Sequence, residues 1–129
     1  MKIQGFNHIG INITDIEKSL AFYRDVLKAN VQFSAKMDDC TITYLLLPSG
    51  ERIELFDYYG KNKTNPPEES QAGYRHIAIQ VDDTDAWEEW LRQNEVPIVL
   101  ASTDIAALHV RVLLFKDPDG TVLEFCKPI

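Results

Sequence analysis

Two His–Glu pairs recur along this chain at nearly equal spacing. Glu54 follows His8 by 46 positions and Glu124 follows His76 by 48, while the histidines lie 68 apart and the glutamates 70 apart. Imidazole nitrogen and carboxylate oxygen are donors that divalent transition metals accept. A duplicated module that keeps one of each can therefore offer two nitrogens and two carboxylates to a single ion.

The elements that must carry these four residues repeat as well. Phe6–Ile13 reads as a strand with Asn7, Ile9, Ile11 and Ile13 on one face and His8, Gly10 and Asn12 on the other. Thr14, with Glu17 three positions later, fits a capping box. Ile16, Leu20, Tyr23 and Leu27 then give an amphipathic helix, which the pattern ends at Ala29-Asn30 with Asn30 as the C-terminal cap. Strands follow at Val31–Ala35, Thr41–Leu47 and Arg52–Tyr58, with a turn at Pro48-Ser49-Gly50. Residues 59–73, which include Pro66-Pro67 and Glu68-Glu69, read as a connection. The second half has the same plan: a strand at Arg75–Val81, cap candidates from Asp82 to Asp85, and a helix with Trp87, Trp90 and Leu91 that ends near Asn94. Its remaining strands are Pro97–Ala101, His109–Phe115 and Thr121–Cys126, the last after the turn Asp117-Pro118-Asp119-Gly120. Each half is β-α-β-β-β.

Strand parity gives direction. His8 points away from Ile9 and Ile11, His76 from Ile77 and Ile79, Glu54 from Ile53 and Leu55, and Glu124 from Leu123 and Phe125. The apolar neighbours claim the helix-covered face, so all four polar residues belong to the opposite, concave side of the sheet. A one-residue slip in any of these strands would turn its apolar set outward.

A chain of 129 residues with 45% hydrophobic and 26% charged content is expected to form one domain with its own core. The net charge of −7 argues against nucleic acid or an anionic membrane as partner. Met1-Lys2-Ile3-Gln4-Gly5 leads straight into a strand pattern with no signal-length apolar segment, and no window approaches a membrane span. Cys40 and Cys126 fall outside any CxxC pattern, so a reduced, cytoplasmic location is expected.

Asn7-His8-Ile9-Gly10, the helix ending Ala21-Phe22-Tyr23-Arg24-Asp25-Val26-Leu27, Arg52-Ile53-Glu54-Leu55, Tyr74-Arg75-His76-Ile77-Ala78 and Asp117–Phe125 together resemble the vicinal oxygen chelate superfamily, and within it the glyoxalase I type. The resemblance implies an α+β fold of two tandem βαβββ modules whose mixed sheet curves into a cup, with helices on the outer face. It implies one such domain over 1–129, with module 1 at about 1–58, a connecting loop at 59–73 and module 2 at about 74–129. It also implies a homodimer and one divalent metal (Ni, Co or Zn) held by His8, Glu54, His76 and Glu124. Methylmalonyl-CoA epimerases typically carry Gln where this chain has Glu54, extradiol dioxygenases and fosfomycin-resistance enzymes usually use two His and one Glu, and drug-binding members generally lack the ligands. The chain departs from short bacterial glyoxalase I enzymes at Asn12 and Tyr58, where those typically have the Arg and Asn associated with holding glutathione.

What the resemblance implies chemically is a 1,2-proton shift that turns the hemithioacetal of a 2-oxoaldehyde into a 2-hydroxyacyl thioester. The metal acts as a Lewis acid on two vicinal oxygens; Glu124 moves the proton, and Glu54 reprotonates or serves the opposite stereochemistry. The partners are a small-molecule substrate and, for this reaction, a thiol. Substrate-contact candidates are Asn12 and Gln80, each four residues after its histidine, together with Tyr58 and Arg111. Their alternatives are polar filling of the cup for Asn12 and Gln80, and an exposed strand position for Arg111. Cys126 shares a face with Glu124, His109 shares one with Arg111, and Tyr58, Tyr59 and the Pro-rich loop are candidates to cover the cup mouth. Competing functions are an epimerase or dioxygenase on the same metal, the latter with His109 as acid/base, and a non-catalytic small-molecule binding or resistance protein.

Overall fold

The computed structural model describes residues 1–62 and 72–129. The chain divides into two compact units, Met1–Thr64 and Asn65–Ile129. Each carries one module, so the α+β plan of tandem βαβββ modules is borne out. The Pro-rich core of the expected connection lies outside the described residues.

In unit 1 the strands are β1 (His8–Ile13), β2 (Asn30–Lys36), β3 (Thr41–Leu46) and β4 (Arg52–Asp57), in sheet order β1-β4-β3-β2. β1 runs parallel to β4, and the other neighbours are antiparallel. The sheet is mixed because β1 is returned beside β4 only after a helix and a meander. Its register pairs Ile9 with Ile53 and Ile11 with Leu55. Ile11, Ile13, Leu45, Ile53 and Leu55 are buried, as are Phe22, Tyr23 and Leu27 of the helix. Burying such side chains contributes about 1.5–3 kcal/mol each, which makes a register slip costly.

Unit 2 repeats this arrangement with β5 (Ile77–Gln80), β6 (Ile98–Ile105), β7 (Val110–Lys116) and β8 (Val122–Pro128), in order β5-β8-β7-β6. β5 is parallel to β8. Trp87 of helix α2 (Thr84–Gln93) lies against Phe125 at 4.7 Å between ring centroids, and Phe115 meets Phe125 at the same separation. Trp87 is therefore a packing residue.

The helix ends differ from the sequence expectation. Asp15, not Thr14, caps helix α1 (Ile16–Leu20), accepting from the Glu17 and Lys18 N–H groups. Asp83 does the same for α2, accepting from Asp85 and Ala86. A carboxylate accepts two donors at once and complements the positive helix end, which a hydroxyl does less well. After α1 the chain widens into a π-helical stretch, Ala21–Val26, in which Leu27 N–H reaches back to the Phe22 carbonyl. Asn30 does not cap this helix. The left-handed stop is Lys28 (φ 63°), beyond which Ala29 N–H bonds to the Tyr23 carbonyl, and Asn30 already belongs to β2. Glu95 (φ 57°) occupies the same role after α2, with Val96 N–H on the Leu91 carbonyl. From capping Asp to left-handed stop is 13 positions in unit 1 and 12 in unit 2.

β6 is longer than expected, running to Ile105 through two register irregularities along β7. A 3-10 turn at Ala106–Leu108 closes it, and His109 sits in left-handed conformation (φ 55°) after that turn. His109 is thus a turn residue outside β7 and shares no strand face with Arg111. Among the described residues no helix is long and apolar enough to cross a membrane.

Replacing Asp83 with Ala removes the carboxylate oxygen that accepts both capping hydrogen bonds and should lower stability by about 1 kcal/mol. A urea midpoint equal to wild type would show that the cap contributes nothing.

Candidate metal-binding pairs

Both units place their histidine by the same ladder geometry. The parallel register sets Gly10 opposite Glu54 and Ala78 opposite Glu124. Each histidine lies two residues before that small partner, on the same face, and reaches its glutamate diagonally. Gly10 sits close under Phe56: an added Cβ would meet the ring at 3.0 Å.

In unit 1, His8 Nε2 is 3.5 Å from Glu54 Oε2. Glu54 is buried, and the His8 ring is more exposed. The other ring nitrogen, Nδ1, is 2.9 Å from Asn7 Oδ1. That amide oxygen only accepts, so Nδ1 carries the proton and donates it to Asn7. Nε2 then faces a carboxylate oxygen, and a cation between the two, a proton or a metal ion, satisfies both. In unit 2, His76 Nε2 lies 3.1 Å from Glu124 Oε2, and His76 Nδ1 is buried with no partner among the described residues.

These distances suit a metal. Two ligands at 2.0–2.2 Å from one ion stand about 3.0 Å apart at a right angle and about 3.4 Å apart at a tetrahedral angle. The observed 3.5 and 3.1 Å match that spacing closely. Among the described residues no cluster of three or more His, Cys, Asp or Glu side chains gathers at one point; each unit offers a pair.

The other sequence candidates divide. Asn12, opposite Phe56, and Gln80, opposite Cys126, are exposed and share the face of their unit's His and Glu. Cys126 is on the Glu124 face, and burial together with the Glu124 charge raises its thiol pKa, favouring the neutral form. Tyr58 is half-buried just past the end of β4. Tyr59 is tied to β3 by a 2.8 Å hydrogen bond between its hydroxyl and Thr41 Oγ1. Arg111 needs correction as a substrate contact. It pairs with Lys127 beside the Leu113–Phe125 pair, on the face opposite Glu124. Its guanidinium donates to Asp85 of α2 and Asp104 of β6, each at 2.7 Å. It ties helix to sheet.

Three contributors were missed: Asn7, which orients His8, and Arg52 with Tyr44, which flank Glu54. Arg52 Nη1 stands 3.9 Å from Glu54 Oε1, and its guanidinium lies 5.3 Å from the Tyr44 ring centre. Parity could have found Arg52, two residues before Glu54. It could not have found Asn7, because adjacent strand residues point to opposite faces; Asn7 lies just before β1 begins.

This fold and paired-ligand face define a family. The chain belongs to the Glyoxalase/Bleomycin resistance protein/Dioxygenase superfamily, whose model matches residues 5–125. It is 35% identical to the metallothiol transferase FosB of Staphylococcus haemolyticus over 124 residues, covering 95% of this chain and 82% of that protein. Among solved structures it is similar to a glyoxylase/bleomycin resistance protein/dioxygenase domain from Frankia sp. EAN1pec (TM-score 0.86, 21% identity, 99% of this chain and 100% of that one). It also resembles the fosfomycin resistance protein FosX from Listeria monocytogenes, solved with Mn(II) and sulfate (TM-score 0.74, 20% identity, 99% and 95% coverage).

Arg111 holds the Asp85 carboxyl below its ordinary range, chiefly through their hydrogen bond. A depressed carboxylate contributes stability that is complete above its unfolded pKa and lost as pH falls through the folded value. Arg111→Met should therefore lower the urea midpoint at neutral pH, with the gap closing below about pH 4. It should leave metal content unchanged. A gap that persists in acid would place the effect in packing instead.

Proposed function

We propose that this chain is a divalent-metal-dependent enzyme acting on a small molecule with adjacent oxygens, together with a thiol. In this reading His8, Glu54, His76 and Glu124 serve one metal centre, so that both modules act as one functional domain, and Asn12, Gln80 and Tyr58 contact the substrate. The observation that carries it is the His8–Glu54 pair, its ring oriented by Asn7, and its counterpart His76–Glu124, both at the separation of two ligands of one ion. The Mn(II) bound to FosX and the similarity to FosB, a metallothiol transferase, support it. The bound ion would supply Lewis-acid polarisation of the substrate oxygens.

The residues' part in the reaction is proton management. Glu124 takes the proton from the carbon that bears the hydroxyl and the sulfur and returns it to the neighbouring carbonyl carbon, while the hydroxyl proton passes to the other oxygen, so a hemithioacetal becomes a 2-hydroxyacyl thioester with no net gain or loss of atoms. Glu54 stands in the related position of the other module and serves the hemithioacetal of opposite stereochemistry. Asn7 keeps the His8 ring oriented. Asn12 and Tyr58 stand where glutathione-using glyoxalases have Arg and Asn, which argues for a different thiol. A second reading is thiol transfer to an electrophile, favoured by the similarity to FosB. Here the thiolate sulfur forms a bond to carbon, a C–O bond breaks, and the released oxygen takes up a proton.

Elemental analysis of protein purified without chelator should find about one divalent ion per chain. His8→Ala and His76→Ala should each remove it; loss of only half the metal from either would mean two separate sites. Methylglyoxal offered with a panel of thiols tests the proton shift, and fosfomycin with the same panel tests transfer. Glu124→Gln should retain much of the metal but lower kcat by at least ~100-fold. An unchanged kcat would remove Glu124 as the base.

A further inference from the structure

One face of the unit 1 sheet holds more than the His8–Glu54 pair. The ladders place Phe33, Tyr44, Glu54 and Gly10 in one row across β2, β3, β4 and β1. Arg52 and His8 form the adjacent row. Phe33 and Tyr44 stack at 4.3 Å with ring planes 17° apart, and the Arg52 guanidinium rests against Tyr44. Phe33 is 56% exposed and the Arg52 side chain 42%. A cation held over an aromatic ring within about 6 Å is positioned without losing its hydrogen-bond donors.

Arg52 differs in this from other arginines of the chain. Arg24, Arg92 and Arg111 each donate to carboxylates at 2.6–2.9 Å. Arg52 comes no closer than 3.9 Å to Glu54, a separation too long for a hydrogen bond. Its planar fork, the shape that matches carboxylate and phosphonate oxygens, is oriented and still available. Of the two cations in unit 1 strands, Lys36 pairs with Thr41 on the other face, which leaves Arg52 as the cation beside Glu54. In a chain of net charge −7, an anion needs such a local cation to approach.

We propose that Arg52 is the substrate anchor of this site, and that the substrate carries an oxyanion, carboxylate or phosphonate, which the Arg52 fork receives while the Tyr44–Phe33 stack meets its apolar part. This rests on the reading of Glu54 as part of a metal centre. It adds that the substrate is anionic and enters from the β2–β3 side of the His8–Glu54 pair. Arg52 contributes binding and orientation, and no proton moves through it.

Calorimetric titration of the purified protein with methylphosphonate and with acetate separates the two oxyanion classes. At least one should bind, and Arg52→Ala should weaken it at least ~10-fold, with Arg52→Lys intermediate because an ammonium lacks the bidentate fork. Equal affinity in wild type and Arg52→Ala, or binding of neither probe, would overturn the proposal. Metal content is measured on the same samples. Arg52→Ala that keeps its metal but loses the anion supports an anchor; loss of the metal would instead make Arg52 a support for Glu54 and overturn the anchor. A metal-free wild type that still shows Arg52-dependent anion binding would retire the metal reading and leave the anchor standing.

Discussion

The parallel pairing of the first and last strand of each module is the constraint on which the rest depends. β1 against β4 and β5 against β8 are joined by a helix and a meander, so their register is set by packing rather than by a tight turn. Buried Ile11, Ile13, Ile53 and Leu55 in unit 1, and Ile77, Leu123 and Phe125 in unit 2, hold that register from the opposite face. The histidine and glutamate are passengers of this choice. Their separation along the chain differs between modules, yet each pair meets by the same diagonal across a residue with little or no side chain.

The two pairs have the same frame and different surroundings. His8 has its Nδ1 hydrogen-bonded to Asn7, whereas His76 leaves Nδ1 buried and unmatched among the described residues. Glu54 has the guanidinium of Arg52 within 3.9 Å, while the Glu124 face carries Cys126, a thiol that burial keeps protonated. The repeat thus gives matching His–Glu pairs unlike surroundings.

Parity alone puts all four ligand candidates opposite the apolar faces, because alternation is a backbone property that loop length cannot alter. The order of elements was legible for the same reason. Helix ends were less so. Thr14 and Asp15 are adjacent and both can cap, and only the path of the chain decides between them; Lys28 and Glu95 accept left-handed backbone without being the Gly or Asn that would advertise it. Arg111 misled because parity within β7 does not tell which face its carboxylate partners occupy; Asp85 and Asp104 come from two other elements. His109 read as strand because its neighbours do, although the 3-10 turn before it breaks the ladder. The same lack of long-range information hid the contact of Arg52 with Tyr44.

The π-helical stretch of unit 1 records how such a module changes length. Its helix has one residue more between capping Asp and left-handed stop than that of unit 2, and only this longer helix widens into the π form. The offset between equivalent positions is 68 at the histidines and at the capping aspartates, 67 at Lys28 and Glu95, and 70 at the glutamates. Insertions have therefore been absorbed in a helix bulge and in the β6 edge, while the strands that carry the His–Glu pairs kept their mutual alignment. In evolutionary terms those strands are the fixed points of the duplication. Comparisons of the two halves, or of distant relatives, should be anchored there and allowed to drift in between.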